Sequence, residues 1–438
     1  MDLHRTRAYG IRGVIVGMSS STTIGYAGMT HLGINYAVAG AAKGFNIIGY
    51  DPNTAVIQQL TSGTAPVIEP GLEEALQQRN SFLNFTDQIQ RLSVCDVVYI
   101  APDVATNDNG QSDLTYIKDL INKVIPILNA EAVLVILAQV PPGFTKGIDL
   151  PAYKKYYQVE TLVFGQALMR AEQPERYMIG CAAPKEPLAP KLLQYLQAFH
   201  CPILPMLYES AELAKIAINC CLVASVSIAN TLGEICENIG ADWSEIVPAL
   251  KLDKRIGPHA YLQPGLGLSG GNLERDLATV VNLANEYGTD QRVIQALRDN
   301  SAHRRNWPLK ALFATVLEKN PQAKVAMLGL TYKENTHSLK NSPAIKLLED
   351  IATFDIVAYD PVIKVLDSKY SAKLAITAID AARDADVLVI MTPWQEFKEL
   401  NLAILSNVMR HKQIIDPFKV LNADSVKHHN FKYLTLGQ

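Results

Sequence analysis

Residues 23–51 constrain the fold most. Thr23–Ala27 is a short apolar run that ends in Gly28-Met29-Thr30-His31-Leu32-Gly33, and a helical pattern follows over Ile34–Lys43. A second apolar run, Asn46–Tyr50, ends at Asp51, 23 positions after Gly28. Strand, glycine turn, helix, strand and acidic residue in this order form the dinucleotide-binding layout, with threonine at the second glycine. The first glycine makes the tight turn and the third lets helix and strand pack closely. Helix N–H groups hold a pyrophosphate, and the acidic residue accepts from a ribose hydroxyl. The candidate cofactor residues are therefore Gly28, Thr30, His31, Leu32, Gly33 and Asp51. A β-branched Thr30 should weaken or shift binding, and Asp51 favours NAD over NADP because it would repel a 2′-phosphate. On these residues alone, a plain strand–turn–helix corner with a surface aspartate competes with that reading.

The alternation continues. Asp96–Ala101 and Ala132–Ala138 are further apolar runs, separated by helical patterns, as in a parallel sheet covered on both faces. From Ser210 to Ile239 the chain is long, apolar and free of proline, which predicts a buried helix, followed by a shorter one starting near Asp242. Strand patterns return at Lys324–Leu328, Asp355–Tyr359, Asp386–Met391 and Gln413–Ile415. The expected fold class is α/β: two Rossmann-like parallel-sheet domains joined by a long central helical dimerisation region. The expected boundaries are 1–22 for an N-terminal extension, 23–205, 206–318 and 319–438. So apolar a central helix needs covering, and a second copy of the chain is the natural cover.

Composition excludes some classes. A formal net charge of -3 argues against a nucleic-acid partner. No continuous run of about 18 apolar residues occurs, so no membrane span is expected. Arg5, Arg7 and Arg12 precede a short apolar stretch, Gly13 to Met18, too short for a signal peptide and without a cleavage site, so a cytoplasmic location is expected. Cys95, Cys181, Cys201, Cys220, Cys221 and Cys236 show no zinc spacing and read as buried free thiols. His428-His429 reads as a solvated tail, and no metal site is expected.

Several further segments carry a resemblance. They are Ile68-Glu69-Pro70-Gly71-Leu72-Glu73-Glu74, Asp108-Asn109-Gly110 with Asp113-Leu114, and Gln173-Pro174-Glu175-Arg176 with Ile179-Gly180. Ser210-Ala211-Glu212-Leu213-Ala214-Lys215 with Asn219 follows, then Arg255-Ile256-Gly257 and the stretch from Gly265 to Asp276. Leu328-Gly329-Leu330-Thr331-Tyr332-Lys333, Ser342-Pro343-Ala344, Asp360-Pro361 and Thr392-Pro393-Trp394 complete the set. In this order they resemble the UDP-glucose/GDP-mannose dehydrogenase family across nearly the whole chain.

The resemblance implies NAD as cofactor, a nucleoside-diphosphate sugar as substrate and a homodimer through the central helix. It implies two hydride transfers, the second from a thiohemiacetal formed by a cysteine. Asn272 occupies that cysteine's position, and an amide cannot form the adduct. Lys215 and Asn219 match the groups that hold the substrate oxygen, Asp276 matches an aspartate that orients water or the lysine, and Glu160 matches the first of two family glutamates. Phe164 stands at the second glutamate and Gln139 at a water-positioning threonine. Pro102-Asp103-Val104-Ala105 replaces a V-G-T-P loop, and Asp416-Pro417-Phe418 replaces D-G-R. Arg255, Tyr261, Gly267, Leu273 and Lys333 match substrate-binding positions, the arginine reaching from a neighbouring subunit. Taken singly, Lys215, Asp276, Lys333 and Arg255 also read as ordinary helix or surface residues. The retained groups suit a single or reversible hydride transfer. The alternatives are a catalytically inactive nucleotide-sugar-binding relative or partner of an active dehydrogenase, and a changed, non-nucleotide substrate.

Overall fold

The computed structural model describes residues 22–106 and 112–438. The arginines and apolar stretch near the N-terminus, and Asp108-Asn109-Gly110, lie outside the described residues. The chain divides into two compact units, the first ending at Lys215 and the second running from Ile216 to Gln438.

The first unit is built on eight strands: β1 Thr23–Ala27, β2 Asn46–Tyr50, β3 Leu83–Thr86, β4 Val97–Ile100, β5 Val133–Ile136, β6 Lys155–Gln158, β7 Tyr177–Cys181 and β8 Ile203–Leu207. They lie in the order β8-β7-β6-β5-β4-β1-β2-β3. β1 pairs in parallel with β2 and β4, Ala27 opposite Tyr50 and Ile100, so its C-terminal end delivers Gly28 to the middle of the sheet edge. Ile24, Tyr26, Val97, Tyr99, Leu134 and Val135 are fully buried, because both faces of the sheet are covered. The parallel arrangement runs from β3 to β6. β7 then pairs antiparallel with β6, Tyr157 opposite Gly180, and β8 follows β7 in parallel. A strand buried on both faces reads alike in either direction, so the sequence pattern does not show this reversal.

Helix α1 spans His31–Ala42, starting three residues before the expected Ile34. Thr30 caps it in extended conformation, which puts His31, Leu32 and Gly33 into its first turn. Every residue from His31 to Ala41 is buried, as expected of a helix made of small and apolar residues on all sides.

The second unit carries a six-stranded sheet: β9 Lys324–Leu328, β10 Asp355–Tyr359, β11 Lys373–Leu374, β12 Val387–Ile390, β13 Gln413–Ile415 and β14 Lys432–Leu434. Their order is β11-β10-β9-β12-β13-β14, and all pairings are parallel. Helix α2, Tyr208–Ile239, runs from the first unit into the second. Helices of the second unit include α3 Trp243–Leu252, capped by the Asp242 side chain, α4 Asn272–Tyr287 and α5 Arg292–Arg305. Arg304 of α5 is 1% exposed and pairs with Glu237 at 2.8 Å and Glu234 at 3.4 Å on α2. Gly437 closes the same corner: its N–H donates to Glu237 at 2.8 Å and its carbonyl accepts from Trp243 N–H at 2.9 Å.

Three expectations need correction. α2 is not a buried helix: only 39% of its apolar window is covered. Ile228, Leu232, Ile235 and Ile239 are 41–70% exposed and recur at helical spacing, so they form one bare stripe. The stripe is invisible to a count of apolar residues, which does not tell a covered face from an open one. The helix is also long and apolar enough, at mean hydropathy 1.7, to meet the length and composition of a membrane span. Yet Glu209, Glu212, Lys215, Glu234 and Glu237 along it all hold polar partners within the protein, as in a helix of a folded domain. The cysteines are all free, but Cys221 is exposed and Cys201 and Cys220 are half-buried. His428 ends a helix, Ala423–His428, and is not part of a loose tail. Among the described residues no group of acidic, histidine and cysteine side chains has the makings of a metal site.

Candidate active site

The glycine corner has the geometry that the sequence predicts. Gly28 has φ +99°, in the left-handed region that favours glycine, and its N–H donates to Tyr50 at 2.8 Å. A Cβ on Gly33 would stand 2.0 Å from the Gly28 carbonyl oxygen, so helix and turn meet here as closely as backbones can. Asp51 is 8% exposed and is not a surface turn residue. One of its oxygens accepts from Met29 N–H at 2.8 Å and the other from Asn53 N–H at 2.9 Å. Each oxygen keeps further acceptor capacity for a ribose hydroxyl.

Thr30 departs from the expected picture. Its hydroxyl accepts from Asp103 N–H at 2.8 Å and lies 3.5 Å from the Ala101 carbonyl. The side chain thus clamps the turn after β4. The Asp103 carboxylate in turn accepts from Leu32 N–H at 3.3 Å, in the first turn of α1. His31 faces elsewhere. Its Nε2 lies 2.9 Å from Glu69, whose carboxylate also accepts from Gly165 N–H at 3.0 Å and Ala167 N–H at 2.8 Å. Phe164 stacks on the His31 ring at 4.2 Å between centroids.

Lys215 is paired. Its Nζ is 2.8 Å from Glu160 Oε1, and the two side chains are 12% and 15% exposed. The second Glu160 oxygen accepts from Leu162 N–H at 3.0 Å, which fixes the carboxylate. One turn earlier on α2, Glu212 is fully buried and accepts from Gly143 N–H at 2.5 Å and Thr145 N–H at 2.8 Å. Burial pushes its carboxyl above the usual range. Glu212 fastens the loop after β5, the segment that follows the buried Gln139, to α2. Its role went unread in the sequence, although a lone acid between apolar positions of a helix was the available signal. Asp103 likewise went unread as a partner of α1.

In the second unit Asn219 is 8% exposed and its amide donates to Asp276 Oδ2 at 2.5 Å. Asp276 is 1% exposed and lies a full turn inside α4, so it is not a helix-start aspartate. Lys215 and Asn219 are four residues apart on α2 and project from one side of it. Asn272 is the first residue of α4, exposed, behind Gly271, whose position supplies no side-chain cap. Leu273 packs into an apolar cluster with Val223, Leu268, Leu277 and Cys220. Cys220 is the thiol that feels Asp276: burial first, then the charge of Asp276, pushes it up to about 11. Gly267 has φ +77° and sits against Ser301. Lys333 stands 5.8 Å over the Tyr332 ring, half-buried. Arg255 and Tyr261 project outward; the arginine side chain is 89% exposed and held by Asp253 at 2.6 Å.

A glycine turn at the end of a central parallel strand, a helix starting on it and an acid ending the next strand define an α/β protein of the NAD-binding oxidoreductase class. Residues 22–193 match the NAD binding domain of the UDP-glucose/GDP-mannose dehydrogenase family, 209–302 its central domain and 326–423 its UDP binding domain. The chain belongs to this family. The UDP-glucose 6-dehydrogenase TuaD of Bacillus subtilis (strain 168) is 27% identical over 435 residues, 95% of this chain and 93% of the relative. The UDP-glucose 6-dehydrogenase of Rickettsia conorii is 28% identical over 432 residues, 94% and 99% of the two chains. Among solved structures, a UDP-glucose dehydrogenase from Pyrobaculum islandicum superposes with TM-score 0.81 at 25% identity, covering 92% of this chain and 96% of its own. A UDP-D-ManNAc dehydrogenase from Pyrococcus horikoshii gives 0.80 at 25% identity, covering 95% and 99%. The cofactor is NAD, as the N-terminal domain match indicates. The corner fits that group at Gly28, Gly33 and Asp51 and differs from it at Asp103.

Proposed function

We propose that this chain is a nucleotide-sugar oxidoreductase that carries out one hydride transfer between alcohol and carbonyl, reversibly, and does not proceed to the uronic acid. The observation that carries the reading is Asn272 at the start of α4, where full oxidation needs a thiol. Cys220 does not substitute, since a thiol raised to about 11 is almost wholly protonated at neutral pH and is a poor nucleophile.

NAD, when bound, supplies the hydride acceptor. Gly28, Leu32, Gly33 and Asp51 are the residues that would hold it. The chain's own work falls to α2. In the first unit Lys215 Nζ, oriented by Glu160, offers a donor to a substrate oxygen, and in the second the Asn219 amide, oriented by Asp276, offers another. Donors fixed beforehand stabilise the charge that gathers on that oxygen as the C–H bond weakens. Gln139 and Phe164 leave the later hydrolytic step without its water-positioning and carboxylate groups. Gly267, Tyr261, Leu273 and Lys333 are assigned to the nucleotide sugar, with Arg255 serving a neighbouring copy in a cytoplasmic homodimer.

The test is incubation of the pure protein with NAD and a panel of UDP-, GDP- and dTDP-sugars. The expected result is at most one NADH per sugar and a carbonyl product. Two NADH per sugar with uronic acid at ordinary enzyme rates overturns the reading. Asp103 at the head of α1 favours a second reading, a nucleotide-sugar binder without turnover. Calorimetry separates the two: sugar-nucleotide binding with no NAD binding supports the second.

A further inference from the structure

An α1 N-terminus in this layout points several backbone N–H groups, and the positive end of the helix dipole, at the place where a pyrophosphate sits. Here Leu32 N–H is already engaged at 3.3 Å by the carboxylate of Asp103. The carboxylate is not there by chance of a loose loop. The Thr30 hydroxyl holds Asp103 N–H at 2.8 Å, and Pro102 lies against Gly28, where a Cβ would come within 2.9 Å of the ring. A glycine at position 30 would have no hydroxyl with which to hold the turn.

We propose that Asp103 is an internal occupant of the pyrophosphate pole of the cofactor corner, clamped there by Thr30, and that the pair sets how tightly this chain holds NAD. The carboxylate takes one donor that a phosphate would use, Leu32 N–H, and adds a like charge beside it, so both electrostatics and hydrogen bonding oppose the dinucleotide. Asp103 is exposed, so its segment is on the side from which a ligand arrives. Binding then requires the Asp103 carboxylate to leave Leu32 N–H. Thr30 thus acts through Asp103 and not by intruding on the ligand. The inference rests on the proposal that NAD binds at this corner.

The experiment measures binding, not turnover. The full chain and its Asp103→Asn, Asp103→Gly and Thr30→Gly variants are titrated by calorimetry with NAD, ADP and adenosine, after thermal melts confirm that each is folded. Removing one charge from an exposed helix terminus should tighten NAD and ADP by about fivefold and leave adenosine, which has no phosphate, unchanged. Thr30→Gly should give part of the same gain, and Thr30→Gly with Asp103→Asn should give less than the product of the two, because the residues act as one device. Asp103→Asn guards against a folding loss in the glycine variant. If NAD binds the unaltered chain and the variants within twofold of each other, the proposal falls and the NAD-dependent reading stands. An equal gain for adenosine also overturns it. If none of the proteins binds NAD at millimolar concentration, Asp103 is not what limits binding, and the NAD-dependent reading falls with the proposal.

Discussion

At the scale of single residues, the chemistry turns on one side chain and its surroundings. Asn272→Cys puts a thiol in the first turn of α4, where free N–H groups favour a thiolate. That cysteine should alkylate readily at neutral pH, yet acid formation should stay below about one hundredth of the first oxidation rate, because Phe164 and Gln139 still leave the later steps unserved. Product analysis by mass spectrometry decides it, and strong acid formation from this single change would show those two positions to be unimportant. Cys220 gives a pH-dependent check. With its thiol raised to about 11, its thiolate fraction is on the order of one in ten thousand at pH 7 and grows tenfold per pH unit. Iodoacetamide at pH 7 should therefore mark the exposed Cys221 well before Cys220, and Cys220 should catch up as pH rises. Asp276→Asn removes a repelling charge, lowers the Cys220 pKa and speeds its alkylation at fixed pH; peptide mapping reads both. The glycine turn and Asp51 were legible in the sequence from the spacing of strand, turn, helix and acid, whereas Lys215, Asn219 and Asp276 were singled out only by the family resemblance. Their partners were not legible. Glu160 reaching Lys215, Asp103 reaching Leu32 and Glu212 reaching Gly143 depend on loops whose paths no periodicity encodes.

At the scale of elements, the glycine-rich segment 265–271 divides into positions that need glycine and positions that do not. Gly267 combines φ +77° with a Cβ that would stand 2.3 Å from the Ser301 carbonyl oxygen. Gly267→Ala should cost about 2–4 kcal/mol of stability in denaturant titration. A Cβ at Gly265 meets nothing within 4 Å, so Gly265→Ala should stay within about 0.5 kcal/mol of the parent. Equal losses at the two would mean that the loop is held by something other than its backbone. The same contrast explains what could be read in advance. β1, β2, β9, β10 and β13 fall where the apolar runs put them, since short runs bounded by turn residues leave little choice. The reversal at β7 comes from pairing across the sheet, and the first turn of α1 is met by Asp103 from the turn after β4; both act across the chain and not along it.

At the scale of the whole molecule, the bare stripe of Ile228, Leu232, Ile235 and Ile239 on α2 is the surface that a homodimer would cover. Light scattering should give twice the chain mass for the parent and the single-chain mass for Ile235→Glu, which places a charge among those side chains. Unchanged mass for both would remove the stripe from the interface.

Gly437 sits two hundred positions from Glu237 in the chain, yet its N–H is bound to that carboxylate and its carbonyl to Trp243. The chain's last residues are thus sewn back into helices that were made first. Heating should therefore release the helical middle and the second sheet in one calorimetric transition and not in two, for neither can loosen while the stitch holds the other.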